Sequence, residues 1–351
     1  MNITTSKKRL MAAKQSFVTR RVAKESMESL IEDLSYSPKA GDLILAKVNL
    51  IGHHTRTERV DGRKAKLFEG DEVILAYGNR YAPDQFEAVI PEDLSPCHMV
   101  AAGGIAAKAL SWHAKIELPT EITPIGLIAD KNGKVINLSD YSVPNALSVP
   151  NVPNVTVVGT SMNAGKTTTA AHIIHGLTKA GYQVGAMKVT GTGAGGDLWL
   201  MQDAGAKSAV DFTDAGFPTS FKVDESELMG IVKKLSQALV NQGCDAIVVE
   251  IADGVYQKET RALLQNPEYK SLFKSVVFTA RESLGATAGA QWLKSEGYHV
   301  PAISGMICCS PLAAREAAHQ VQLPILDLEQ LVNPETAESL LSLAQSFSAT
   351  A

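Results

Sequence analysis

A glycine-rich loop between a strand-like and a helix-like segment carries the clearest chemistry in the sequence. Gly159–Thr167 read G-T-S-M-N-A-G-K-T, after the apolar run VTVVG and before a helix-like stretch. Glycines let backbone N–H groups turn towards phosphate oxygens, and a helix N-terminus adds a favourable field. We predict a phosphate-binding loop in which Lys166 reaches the β- and γ-phosphates and Thr167 holds Mg²⁺. The predicted nucleotide contacts are Gly159, Thr160, Asn163, Ala164, Gly165, Lys166, Thr167 and Thr168.

Three further polar residues stand where predicted strands end or helices begin. Asp197 and Glu250 offer, with Thr167, the oxygen ligands that Mg²⁺ prefers, on segments that a parallel sheet brings to one edge. Lys188 ends an otherwise apolar strand, where a lysine is costly unless it is paired. We predict that Lys166 and Lys188 are catalytic and offset charge on the transferring phosphoryl group. The alternative for each acid is an ordinary surface or capping residue.

Candidates for substrate contacts are spread along the chain. Asp214 and Thr219 lie in the loop DFTDAGFPTSF (211–221), which Gly and Pro interrupt. Asp253 lies two residues beyond Ile251, Thr192 lies near Lys188, and Arg80 lies in YGNRYAPDQFEA (77–88). The substrate candidates are Thr192, Asp214, Thr219, Asp253 and Arg80. A plain surface loop remains the alternative for the 211–221 segment.

The phosphate loop resembles that of dethiobiotin synthetase and its relatives among the small-molecule ATP-dependent ligases. It begins with Gly-Thr and has five residues, Thr160 to Ala164, between its glycines, where the common loop has four. The likeness continues through GYQVGAMKVTGTG, the helix start at Asp197, the strand end at Glu250 and SVVFTARESLG, and covers about 152–330. The sequence departs from the family at Val189, Ile251 and Asp253, and Ser304 is nearest to the family's adenine-contacting asparagine.

The resemblance implies an ATP- and Mg²⁺-dependent enzyme that phosphorylates a small-molecule carboxylate for amide or ring formation. A small-molecule kinase, whose phosphorylated product leaves, is equally compatible with these residues. A P-loop switch or accessory protein acting through a partner is the alternative from another class, although no Asn/Thr-Lys-x-Asp guanine signature follows the late strand, where TARESLG stands. The resemblance also implies a homodimer.

The elements that must position these residues change type along the chain. We predict an N-terminal amphipathic helix in 1–36, a small β-rich barrel or sandwich with its linker in 37–150, and a P-loop domain in 151–351. Within the second of these, AAGGIAAKALSW (101–112) is typical of a helix and 122–138 of a hairpin. After Pro153 strands and helices alternate up to LPILDL, which predicts an α/β, doubly wound, mostly parallel sheet.

Composition narrows the class of protein further. Apolar residues make up 45% of the 351 residues, which predicts a packed core, and the net charge of −4 argues against nucleic acid as a partner. The four cysteines show no paired spacing, which favours a reducing compartment. No run approaches the ~18 apolar residues of a membrane span. We therefore predict a cytoplasmic protein that does not use a membrane.

Overall fold

The computed structural model describes residues 3–342 and divides into two compact units. The first unit runs to Val143 and also contains Thr192–Gly196 and Phe212–Lys222. The second contains Pro144–Gly191, Asp197–Asp211 and the chain from Val223 onward. Two short segments that follow strands of the second unit in sequence are therefore packed within the first.

The first unit is built almost entirely from strands, with one short helix, α1 (Lys7–Ala12), and 3₁₀ turns at Phe17–Thr19, Lys24–Ser26 and Leu138–Tyr141. Its strands are β1 (Ile3–Thr5), β2 (Lys14–Gln15), β3 (Ser29–Ile31), β4 (Leu43–Leu50), β5 (Arg56–Glu58), β6 (Lys64–Lys66), β7 (Glu72–Tyr77), β8 (Arg80–Tyr81), β9 (Phe86–Val89), β10 (Cys97–Ala101), β11 (Ile105–Trp112) and β12 (Thr120–Ala129).

Five of these strands close into a small barrel. The pairings run from β12 to β4, β7, β11 and β10, and from β10 back to β12. Successive side chains of β4 point to opposite faces, so Leu43 and Leu45 join one apolar cluster while Ile44 and Ala46 join another. Both faces of the barrel strands are thus buried, which accounts for the continuous apolar runs in the sequence.

Two helices predicted in this part of the chain are wrong. In the described part of the N-terminal segment, α-helix is limited to α1. Val18, Val22, Met27 and Leu30 pack in the apolar cluster that contains Leu43 and Leu45. In addition, β3 pairs with β1 and β12 and is therefore strand. The stretch 101–112 is strand, because Gly104, at φ +108°, turns the chain between β10 and β11 and the ladder then outweighs the helix preference of its alanines.

The second unit alternates strands and helices. Its strands are β13 (Asn154–Gly159), β14 (Val184–Lys188), β15 (Ser208–Asp211), β16 (Ala246–Glu250), β17 (Val276–Thr279) and β18 (Ile303–Ser304). Its helices are α2 (Lys166–Lys179), α3 (Gly196–Asp203), α4 (Glu225–Asn241), α5 (Lys258–Gln265), α6 (Pro267–Leu272), α7 (Ser283–Ser295), α8 (Pro311–Val321), α9 (Leu328–Leu331) and α10 (Pro334–Ser339), with a 3₁₀ turn at Met306–Cys309.

The six strands form one parallel sheet in the order β15-β14-β16-β13-β17-β18. The predicted α/β fold with a mostly parallel sheet is confirmed. The segment LPILDL, predicted as a strand, makes only an isolated bridge between Ile303 and Ile325, because Asp327 caps and opens α9. Among residues 3–342, no helix has the length and apolar character needed to cross a membrane.

Candidate functional site

The glycine-rich loop leaves the carboxyl end of β13 and enters α2 at Lys166. Gly165 is the helix N-cap at φ +97°, a conformation that glycine adopts at little cost, and Asn163 also has positive φ, at +59°. The first N–H groups of a helix have no intrahelical partner, so they are available to an anion at this end of α2. The predicted strand, loop and helix are therefore all present.

Lys166 folds back over the loop that precedes it. Its Nζ donates to the backbone oxygen of Ser161 over 2.8 Å, and the residue is only 6% exposed. Burial lowers the pKa of Lys166, although the charges of Glu250 and Asp253 act to raise it. Within the described part of the chain, the Lys166 ammonium group is thus held at the loop by a neutral backbone acceptor, which a phosphate oxygen could replace.

Thr167, Lys188, Asp197 and Glu250 form one connected cluster beside the loop. The Thr167 hydroxyl donates to Asp197 Oδ1 over 3.2 Å and to Glu250 Oε1 over 3.1 Å, as alternative acceptors. Lys188 Nζ donates to Asp197 Oδ2 and lies 3.8 Å from Glu250 Oε1. The structure therefore brings together the three predicted metal ligands and one predicted catalytic lysine.

Strand register explains why these residues meet. Lys188 is the last residue of β14 and pairs directly with Glu250, the last residue of β16, while Glu250 also stands opposite Val157 of β13. Parallel strands end at the same edge of a sheet, so residues far apart in sequence converge there. Asp197 joins them from the first turn of α3.

The charges of the cluster are mutually dependent. Burial alone would lower the pKa of Lys188, but the carboxylates of Asp197 and Glu250 outweigh it and the pKa is raised. Burial likewise opposes ionisation of Asp197, yet the Lys188 charge holds the Asp197 pKa below its usual value. For Glu250, burial dominates and raises the pKa. An additional cation near Glu250 would favour its ionised form.

The donor set fits a magnesium ion. Glu250 is 1% exposed and its Oε2 has no hydrogen-bond partner within the described part of the chain, an arrangement that is costly unless something binds there. Residues 3–342 hold no cluster of three His, Cys, Asp or Glu side chains that could bind a metal by themselves. Mg²⁺ typically takes one or two carboxylates and completes its shell with water and substrate phosphates.

Residues that the sequence interpretation missed hold this edge in place. The buried Thr190 hydroxyl bonds both the N–H and the carbonyl of Ala252, which fixes the chain that follows Glu250. The N–H of Met306 donates to the Ala164 carbonyl over 3.0 Å, and a Cβ on Gly305 would lie 2.3 Å from that same oxygen. In the sequence, a glycine directly after a predicted strand, Gly305 in Ser-Gly-Met, is the one signal for this close approach to Ala164.

A cavity of about 360 Å³ opens over the cluster. Its walls include Asn163, Gly165, Lys166, Thr167, Thr168 and Asp253 together with the charged cluster. Gly159 and Thr160 lie at the root of the loop, where the Gly159 carbonyl accepts from Val255 N and Thr160 N donates to Thr279. Ala164, within the loop, is fully buried. The roles predicted for these residues stay predictions.

The other four substrate candidates lie in the first unit. Thr192 and Thr219 face each other in an isolated antiparallel bridge, and Asp214 forms ion pairs with Arg20 and Arg21. Arg80 is 6% exposed and donates to Gln85 Oε1 over 2.7 Å. These contacts hold loops of the first unit together, and a substrate role for the four residues also stays a prediction.

A second cavity, of about 330 Å³, adjoins the start of α2 in the same unit. It shares Gly165, Thr168 and Met306 with the first cavity and is otherwise lined by residues from α2, the 305–309 turn and the start of α9, including Cys308, Asp327 and Glu329. The two cavities give one side of the loop a charged floor and the other side a less polar recess.

With its central glycine-rich loop, parallel sheet and carboxylate-bearing strand end, the second unit has the fold of the P-loop nucleotide-binding proteins. The solved structures similar to the chain include the signal recognition particle 54 kDa protein of Aeropyrum pernix with GDP, at 21% identity and TM-score 0.37 over 55% of this chain and 44% of that one. The signal recognition particle receptor FtsY of Elizabethkingia anophelis with GDP matches at 16% identity and TM-score 0.36, over 56% of this chain and 62% of that one.

A third similar structure is a DUF1611 family protein of Anabaena variabilis, at 14% identity and TM-score 0.39 over 60% of this chain and 64% of that one. The chain spans less than two thirds of the length of each of these proteins. No protein-family model matches the chain, and no curated protein is significantly similar to it.

Proposed function

We propose that the protein is an ATP- and Mg²⁺-dependent enzyme that transfers a phosphoryl group to a small-molecule carboxylate, for amide or ring formation. The observation that carries the proposal is the cluster of Thr167, Lys188, Asp197 and Glu250 beside the loop, with one Glu250 oxygen buried and unpaired among the described residues. This edge combines cationic and anionic groups in the way that phosphoryl transfer requires.

The lysines would act by neutralising charge. In the proposed reaction a substrate carboxylate oxygen attacks the terminal phosphorus and the nucleoside diphosphate leaves. Lys166, at the loop, and Lys188, at the end of β14, would approach the transferring group from different elements and stabilise the charge on its oxygens. Because its pKa is raised, Lys188 carries its charge at neutral pH.

Thr167, Asp197 and Glu250 would hold the magnesium ion. Bound there with the nucleotide, the ion would neutralise phosphate charge and orient the phosphates. Asp197 already carries its charge, and Glu250 would gain a partner for its buried oxygen. Removing either acid should therefore weaken the metal dependence more than it weakens nucleotide binding.

The nucleoside would occupy the recess beside α2. The recess touches Thr168 and Gly165 of the loop, so it is continuous with the place proposed for the phosphates, and its volume of about 330 Å³ suits a base or ribose. We retain ATP as the proposed nucleotide because the resemblance of the loop is to ATP-dependent ligases.

The choice of a carboxylate acceptor rests on the same resemblance. Asp253 lines the cavity over the cluster and is the substrate candidate within this unit, where it would accept a proton from an attacking amine. A homodimer is proposed on the resemblance alone, and light scattering of the purified chain tests it. A cytoplasmic location rests on the unpaired spacing of the cysteines.

Hydroxylamine trapping separates the proposed ligase from a kinase and from a switch. The chain is incubated with Mg²⁺, ATP, pools of carboxylic acids and hydroxylamine, with Lys166→Ala as the blank. An acyl phosphate would be captured as a hydroxamate, which mass spectrometry identifies. A stable phosphorylated product without hydroxamate would contradict phosphorylation of a carboxylate and support a small-molecule kinase. Hydrolysis that is unaffected by any pool would support the switch.

A further inference from the structure

A separate cavity in the first unit is unusually rich in aromatic side chains. It has a volume of about 430 Å³ and ten lining residues, of which four are Phe, Trp or Tyr, against 6% of these residues in the whole chain. Its aromatic residues are Tyr81, Phe86, Trp112 and Phe221, with the imidazole of His113 beside them. Aromatic walls of this kind indicate a ligand that contacts ring faces.

The strand register fixes the walls of this aromatic cavity. Tyr81 of β8 and Ser111 of β11 stand on either side of Glu87 of β9, and Trp112 pairs with Phe86. The ring of Phe221 lies 5.6 Å from that of Tyr81 at 45°. Since most of these rings are carried by paired strands, the cavity is preformed.

Exposure distinguishes the cavity from a patch of core. Trp112 is 44% exposed, although a large aromatic side chain is normally buried when it serves only packing. Phe86, in contrast, is fully buried. Part of the Trp112 indole is thus accessible from the cavity.

Glu87 gives the cavity a negative charge. Glu87 is the one acidic side chain among the ten lining residues, and it faces no Lys or Arg within that lining. Glu87 Oε2 accepts from the Ser111 hydroxyl over 3.0 Å, which orients the group and leaves further acceptor sites on its oxygens. A phosphate or carboxylate ligand would be repelled here.

Ring faces and a carboxylate together favour a cation. Aromatic faces attract ammonium groups within about 6 Å of the ring centroid. The ring of Phe221 already contacts an ammonium group, because Lys222 Nζ lies 5.6 Å from its centroid. Lys222 itself does not line the cavity. We propose that the aromatic cavity binds a small organic cation, an alkylammonium compound whose charged group contacts Trp112 and Glu87. The proposal concerns the first unit alone and is independent of nucleotide use.

The test compares choline with its neutral isostere 3,3-dimethylbutan-1-ol. Binding of each to the full chain is measured by saturation-transfer NMR on the methyl protons, with sodium chloride added to keep the ionic strength constant. Choline is expected to saturate with a Kd on the order of 1 mM. The alcohol is expected to bind at least ~5-fold more weakly, because it lacks the cation–π and carboxylate attraction.

Variants connect the binding to the cavity. Glu87→Gln and Trp112→Leu should each weaken choline binding about 5-fold, and Glu87→Gln should leave the alcohol unaffected. Glu69→Gln, at another exposed glutamate of the first unit, and Trp292→Leu, at a tryptophan of the second, are matched controls that should bind choline normally. Thermal unfolding checks that each variant is folded. Equal affinities for choline and the alcohol, absence of saturation, or variants indistinguishable from their controls would overturn the proposal.

Discussion

Lys188 and Glu250 are paired in register at the ends of adjacent parallel strands, with Nζ and Oε1 3.8 Å apart. Their side chains are 12% and 1% exposed, so the pair is almost entirely removed from water. Breaking such a pair leaves an uncompensated buried charge, whereas the intact pair gains much less. The geometry therefore gives each partner a distinct and measurable consequence when it is replaced.

Replacing Glu250 by glutamine should raise the Mg²⁺ concentration that gives half-maximal turnover by ~10-fold or more. The amide keeps the size of the side chain but removes a negative oxygen from the metal position. ATP affinity, measured by calorimetry, should change much less. Glu268→Gln, at an exposed glutamate paired with Lys233, serves as the control. Equal losses in Mg²⁺ dependence and ATP affinity would count against Glu250 as a ligand.

Replacing Lys188 by alanine should leave ATP binding nearly normal and reduce turnover by about 100-fold, the scale of losing one group that stabilises the transition state. The variant should also lose about 3 kcal/mol of unfolding free energy, because Asp197 and Glu250 lose their buried partner. Calorimetry, steady-state kinetics and urea unfolding separate the three effects. Lys294→Ala, at an exposed lysine of α7, should change none of them. Wild-type turnover in the Lys188 variant would contradict its catalytic role.

Gly305 should be required for the shape of the phosphate loop. A Cβ there would lie 2.3 Å from the Ala164 carbonyl, so Gly305→Ala must displace the loop and should lower turnover about 100-fold. Gly181→Ala is a matched control, since Gly181 has φ +98° against +96° for Gly305 but nothing within 4 Å of the added atom. Gly181→Ala should lose about 1 kcal/mol of stability from the positive φ. Gly305→Ala should lose more, because φ +96° with ψ −154° is almost restricted to glycine and the added Cβ meets backbone atoms. If both kept the same turnover, the contact with Ala164 would have no functional role.

The stability of the first unit should depend on pH through His54. Its Nε2 has no hydrogen-bond partner within residues 3–342, and burial, aided by the charge of Arg80, lowers the His54 pKa to about 3. Above pH ~6.5 the residue is neutral whether folded or unfolded, so it adds no pH dependence there. Below pH ~6.5 the unfolded chain binds the proton and the folded chain does not, so stability falls until about pH 3.

Urea unfolding at pH 6.5 and pH 5.0 measures this effect. The wild-type chain should lose about 1.6 kcal/mol more than His54→Gln over that interval. Identical pH slopes for wild type and His54→Gln would show that His54 does not titrate as its burial predicts.

The parts of the structure predicted from sequence are those fixed by local chemistry. Gly165 and Lys166 mark the loop because few residues permit its turn. Glu250 marks the end of β16 because a charged residue interrupts an apolar run. The alanines around Gly104 fit a helix locally, but the pairing of β10 with β11 and of β11 with β7 and β9 makes the stretch strand. The bond from Thr190 to Ala252, and the close approach of Gly305 to Ala164, join residues distant in sequence and leave no local pattern.

Phosphate release in the presence of Mg²⁺ and ATP, with and without pools of small carboxylic acids and amines, tests whether the protein phosphorylates a small-molecule acid. Lys166→Ala is the blank, because it removes the ammonium group held over the loop and should leave the fold, followed by circular dichroism, unchanged. Release should appear only with a particular acid and vanish in the Lys166 variant. Release that is the same with every pool, or that persists in Lys166→Ala, would contradict phosphorylation of such an acid.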